Sequence, residues 1–127
     1  RGIAPGLMIC AMASDHLDPN FENFSDNLIQ LRKERDSLGR PFELVELPLP
    51  APLQGTDGRY ITRSYLDFYL GMGAVFVPAF DDAMDGRAAE LLGTAFPDRD
   101  VVQLDVAEIS HRGSAIHCMT QQQPKVR

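Results

Sequence analysis

At 127 residues, with 44% hydrophobic and 24% charged residues, the chain has the size and balance of one folded domain rather than a disordered segment. A formal charge of −6 and a pI near 4.9 oppose nucleic-acid binding, which rewards clustered Lys and Arg, and suit either a cationic ligand or simple solubility. No apolar run reaches membrane-spanning length, and no charged-then-apolar leader opens the chain.

The first predicted strand is Leu7 to Ala13 (LMICAMA), a continuous apolar run that reads as buried on both faces. The loop "SDHLDPN" follows, rich in turn-forming Asp, Asn and Pro. Phe21, Phe24, Leu28 and Leu31 then recur at helical spacing, and Gly39 with Pro41 predicts the helix end. Phe42 to Leu47 is the next strand, and "PLPAPLQGTDGR" a Pro/Gly-rich connection. Tyr60 to Leu70 and Ala74 to Phe80 read as strands joined into a hairpin at Gly71-Met72-Gly73. Asp85 is placed to cap a helix through Ala88, Leu91, Leu92 and Ala95, closed by Pro97. Val101 to Val106 and Ala115 to Gln121 complete the predicted strands.

LMICAMA–helix–FELVELP and AVFVPAF–helix–VVQLDV read as one unit displaced along the chain. The alternation predicts an α/β fold with parallel strands. Neither strand-to-helix junction carries the glycine-rich phosphate cradle of a nucleotide-binding fold.

Chemistry concentrates on "AIHCMT". A strand there turns His117 and Cys118 to opposite faces, which argues against His117 as the base serving Cys118 and for a structural histidine. Cys118 taken alone reads first as a small buried hydrophobe, the commonest fate of a free cysteine, and Cys10 as core. His111 precedes the flexible "RGSA" and is placed to curl back towards Cys118, or to stand on the surface. His16 lies between Asp15 and Asp18, but turn composition produces the same letters, and no metal site is assigned. Ser64-Tyr65 and "TQQQP" offer polar groups without a defined role. Two cysteines without metal-ligand spacing predict a reducing, cytoplasmic setting. From the residues alone, a non-catalytic α/β binding or assembly module stands beside an enzyme.

Ile116-His117-Cys118-Met119-Thr120-Gln121-Gln122, with "SYLDFYLGMGAVFVPAF", "FPDRDVVQLDV" and "FSDNLIQLRKERDSLGRPFELVELPLP", resembles the C-terminal part of the agmatine deiminase and bacterial-type peptidylarginine deiminase family. The resemblance implies that residues 1–127 are one C-terminal fragment of a deiminase catalytic domain, a partial α/β propeller. Two ββαβ units, about 1–59 and 60–127, would belong to a five-unit ring. It implies Cys118 as the nucleophile on the guanidinium of agmatine, no cofactor, and ammonia and N-carbamoylputrescine as products. Peptidyl-arginine or arginine is the alternative substrate. The family's glycine run before Ile-His-Cys is here Arg112-Gly113-Ser114, which leaves Gly113 as the candidate substrate-side residue. The family's His-x-Asp motif and cation-binding aspartates precede the matched region. His16-Leu17-Asp18 has the right letters but stands after the first matched strand, so that role is not transferred to it. A chain lacking these groups is expected to be inactive alone, and a cut through a closed ring to expose apolar faces and favour homo-oligomers.

Overall fold

The computed structural model describes residues 2–4, 6–111, 113 and 115–123. Strand β1 (Gly2–Ala4) pairs antiparallel with β2 (Leu7–Ala11), which runs parallel to β3 (Glu43–Leu47) in a sheet ordered β1-β2-β3. Helix α1 (Phe21–Lys33) bridges the parallel pair. Its stripe is the predicted one: Leu28 is buried and Phe21, Phe24 and Leu31 are half-buried.

The helix ends at Lys33, six residues before the expected glycine, because Asp36 offers the backbone a competing set of bonds. Its Oδ1 accepts from the amides of Leu38 and Arg40 at 2.9 Å each, and its carboxylate pairs with the Arg40 guanidinium. Gly39 closes that turn at φ +76°. An aspartate that satisfies nearby amides in a turn draws the chain out of a helix.

The Pro/Gly-rich connection supplies β4 (Leu53–Gln54), which pairs antiparallel with β5 (Tyr60–Ile61) just beyond it. The single strand expected over Tyr60 to Leu70 is instead β5, a 3₁₀ turn (Tyr65–Asp67) and β6 (Tyr69–Leu70). Ser64 starts the turn by accepting the Leu66 amide at 3.2 Å. Tyr65 and Phe68 are both fully buried. Residues three apart would face opposite sides of a strand, whereas a 3₁₀ turn brings them to one side. Burying two aromatic rings is worth roughly 3–6 kcal/mol, against a β-propensity span of about 1 kcal/mol, so packing decides.

β6 forms the expected hairpin with β7 (Ala74–Ala79), and β7 runs parallel to β8 (Asp100–Asp105) across helix α2 (Asp85–Ala95). The hairpin needs its glycines: Gly73 has φ +78°, and a Cβ on Gly71 would lie 2.9 Å from the Phe76 ring. The sheet order β6-β7-β8 matches that of β1-β2-β3 in both strand directions and in helix placement.

Asp85 does not cap α2 as expected; it is the helix's first residue, and its carboxylate turns back. It accepts from the Tyr65 hydroxyl at 2.7 Å, the Phe80 amide at 3.0 Å and the Asp82 amide at 3.1 Å. Asp81, at φ +56°, lets the loop fold around that carboxylate. After the short helix α3 (Ala107–Ser110), the expected strand Ala115 to Gln121 is replaced by a second 3₁₀ turn (His117–Met119). Ala115 and Ile116 are consecutive and both buried, which alternation in a strand on one core would forbid.

One core joins the two sheets: Ile9 and Leu47 pack in the same cluster as Tyr65, Phe68, Val75, Val77, Leu92 and Ile116. Among the described residues no helix is long and apolar enough to cross a membrane.

Candidate active site

The two 3₁₀ turns meet. The first is fixed from below by Tyr65, whose ring packs edge-on against Phe80 at 5.4 Å between centroids and whose hydroxyl is tied to Asp85. Burial, then the adjoining Asp85 carboxylate, pushes that phenol far above its ordinary range, so it acts as a neutral donor. The second turn is fixed by Ala115 and Ile116 in the core, which leaves His117 and Cys118 exposed beyond them.

The contact between the turns is Asp67 with Cys118. Asp67 Oδ1 accepts from the Cys118 backbone amide at 3.3 Å, and the Cys118 thiol lies 3.5 Å from the same oxygen. Donor atoms of Asp67, His117 and Cys118 all lie within 4.8 Å of one another. This corrects the strand-based separation of His117 from Cys118. The turn keeps both side chains exposed and close.

Asp67 is the residue that sequence reasoning missed. Its available signal was a lone carboxylate set among Tyr65, Leu66, Phe68 and Tyr69. An ionised thiol 3.5 Å from a carboxylate would place two negative charges face to face. Unit charges about 4 Å apart repel by roughly 1 kcal/mol in water and roughly 4 kcal/mol at an effective dielectric near 20. The pair therefore favours a cation between its members.

The other candidates stand elsewhere. Cys10 is buried, and its thiol donates to the Val45 carbonyl at 3.8 Å; burial, then Glu46, raises its pKa. The His16 ring packs at a tilt of 48° against Phe21, with ring centroids 4.2 Å apart. Asp15 and Asp18 accept the amides of Leu17 and Asn20, which explains that acidic cluster as turn chemistry. Ser64 starts the first 3₁₀ turn and Tyr65 is core. His111 and Gly113 border a groove with Gly55, Asp57 and Arg59. Gly113 holds φ +75° and donates to the Ser110 carbonyl at 2.8 Å. Arg112, Ser114 and Pro124 lie outside the described residues.

Hollows of about 400 and 440 Å³ are lined by Arg63 with Pro50 to Pro52, and by Cys10 with Phe24 and Leu31; neither includes Cys118. The chemistry of the thiol outweighs their size, because neither hollow contains a nucleophile set against a carboxylate.

The model of the Porphyromonas-type peptidyl-arginine deiminase family matches residues 1–124. An agmatine deiminase of Stutzerimonas stutzeri is 32% identical over 96% of this chain and 38% of its own length. One of Pseudomonas savastanoi is 34% identical over 96% of this chain and 38% of its own. The solved agmatine deiminase of Enterococcus faecalis superposes with a TM-score of 0.88 at 30% identity, over 96% of this chain and 38% of that one. The chain thus spans little more than a third of the length of the curated relatives it matches. With the matched fold and the Cys118 segment inside the matched range, the chain belongs to the Porphyromonas-type peptidyl-arginine deiminase family.

Proposed function

We propose that this chain is the nucleophile-bearing part of an enzyme that hydrolyses the guanidinium of agmatine to N-carbamoylputrescine and ammonia, a step towards putrescine in the cytoplasm. The observation that carries the reading is the Cys118 thiol held 3.5 Å from the Asp67 carboxylate, in a chain of the deiminase family. A guanidinium is permanently charged and resonance-stabilised, so the site must hold a cation while presenting a strong, soft nucleophile to its carbon. The Cys118–Asp67 pair offers both.

In the proposed sequence, Cys118 sulfur forms a bond to the guanidinium carbon, and the C–N bond to one terminal nitrogen breaks. That nitrogen leaves as ammonia with a proton from a general acid. Water then attacks the thiouronium carbon and gives up its protons, and the C–S bond breaks to return the thiolate and release the ureido product. Asp67 faces the cation through both steps and holds the Cys118 amide. The acid–base histidine and further carboxylates would come from a part of the protein beyond these residues, so this chain alone is inactive. The two ββαβ units, about 1–59 and 60–127, would be two of five in a propeller. Gly113, with its left-handed backbone, would border the substrate. Exposed apolar side chains such as Leu17, Leu38 and Met72 favour contact with further units or a second copy.

The test is ammonia release from agmatine by the full-length protein. Turnover lost in Cys118→Ser is expected; absence of turnover, or turnover indifferent to Cys118→Ser, overturns the reading. A second reading keeps the chemistry and takes peptidyl-arginine or free arginine, as the description of the matching family suggests. Comparing kcat/KM for the three substrates decides between them.

A further inference from the structure

The Asp67–His117–Cys118 cluster has one property that guanidinium hydrolysis does not use. It brings a thiol sulfur, an imidazole nitrogen and a carboxylate oxygen together, all within 4.8 Å of one another. We propose that these three side chains form a binding site for a thiophilic divalent cation of the zinc type, and that metal held there blocks the nucleophile. The binding claim rests on the three side chains alone; the block on turnover rests on the proposed deiminase activity.

Sulfur, nitrogen and oxygen donors are those that Zn²⁺ accepts, at about 2.3 Å for sulfur and about 2.0–2.2 Å for the others. Donors at those bond lengths in a tetrahedron lie roughly 3.5 Å apart. The Sγ–Oδ1 pair already has that spacing, at 3.5 Å. His117 and Cys118 are exposed and adjacent on one turn, so closing the third donor onto the metal needs side-chain rotation rather than backbone movement. Asp67 is held in place by the Cys118 amide, which makes it the fixed donor. A thiolate and a carboxylate together neutralise a dication, relieving the repulsion that an ionised Cys118 would meet. Three protein donors leave one position for water. Mg²⁺ and Ca²⁺, which demand oxygen ligands, do not match the set.

The loop at His16 offers histidine and aspartate without that convergence. The His16 ring packs against Phe21 at 4.2 Å between centroids, and among the described residues the converging donors are those of Asp67, His117 and Cys118. The 117–118 turn sets both of its donor side chains out towards solvent.

The sulfur binds such a cation as a thiolate, so each metal bound releases the thiol proton. The metal would occupy the sulfur lone pair needed for attack on carbon, giving inhibition that a chelator reverses.

The experiment titrates the full-length protein with Co²⁺, whose thiolate-to-metal charge-transfer band in the near ultraviolet reports a bound sulfur. One equivalent of cobalt with that band is expected, lost in Cys118→Ser and kept in Cys10→Ser. His117→Ala and Asp67→Asn should each weaken binding by roughly 10-fold or more, with folding checked by circular dichroism. His117 is exposed, so its variant keeps the test valid if Asp67→Asn fails to fold. No charge-transfer band, a band that survives Cys118→Ser, or affinity unchanged in His117→Ala overturns the site. No substrate is present, so failure here leaves the deiminase reading standing. Conversely, an inactive full-length protein leaves cobalt binding intact.

Discussion

The two halves of the chain share a topology but not a role. In each, a hairpin strand, a parallel pair and a bridging helix follow in the same order. They differ in what the carboxylates at the strand-to-helix junction bind. In the first half, Asp15 and Asp18 serve amides of their own loop. In the second, Asp85 reaches across 20 residues to Tyr65 and pins the turn that presents Asp67. A repeated fold supplies the scaffold, and one junction's long-range bond fixes the turn that carries Asp67.

The largest contrast to test is between the cysteines of the two halves. Cys118 is exposed and Cys10 buried. Iodoacetamide on the native chain should therefore alkylate Cys118 faster than Cys10 by roughly two orders of magnitude or more, because Cys10 must wait for local opening. Peptide mapping that finds equal rates would break the comparison.

Core truncation comes next. Leu92→Ala in α2, fully buried between strands, should destabilise by about 3–5 kcal/mol, and Leu28→Ala in α1 by about 2–3 kcal/mol. Denaturant midpoints in the reverse order would place the stronger core in the first half. Comparable in size is the junction itself. Asp85→Ala leaves the Phe80 and Asp82 amides and the Tyr65 hydroxyl without their acceptor, at a cost of about 1–3 kcal/mol for each donor left unsatisfied. Asp18→Ala, on an exposed turn, should stay within about 0.5 kcal/mol. Equal losses would remove the distinction between the junctions.

The smallest effect belongs to the Asp36 turn. Hydrogen bonds from the Arg40 side chain and amide hold its carboxyl below the ordinary value of 3.8. A depressed folded pKa contributes stability that is present above the unfolded value and fades as pH falls through the folded one. Asp36→Asn should thus flatten the stability profile slightly below about pH 4 and change nothing in its slope near neutrality. A changed slope near pH 7 would contradict the assignment.

What the sequence reveals and conceals follows from range. LMICA and AVFVPA are legible as buried parallel strands because their apolar runs are continuous, and the α1 stripe because its spacing is helical. The two 3₁₀ turns are not legible. Tyr65 to Leu70 and Ala115 to Gln121 have the aromatic and β-branched character of strands, and only tertiary anchoring of Phe68 and Ile116 bends them. Cys118 stands out through its motif, but Asp67 meets it across 51 residues, a contact no local pattern encodes. Strand alternation separates His117 from Cys118, whereas the turn brings donor atoms of both within 4.8 Å of each other.

The central claim is that Cys118 attacks the guanidinium carbon. The most direct measurement is peptide-level mass spectrometry of the full-length protein, acid-quenched during agmatine turnover. An adduct with the mass of agmatine less ammonia, on the peptide containing Cys118 and absent from Cys118→Ser, is the predicted result. Steady turnover with Cys118 unmodified throughout, or an adduct on Cys10, would contradict it.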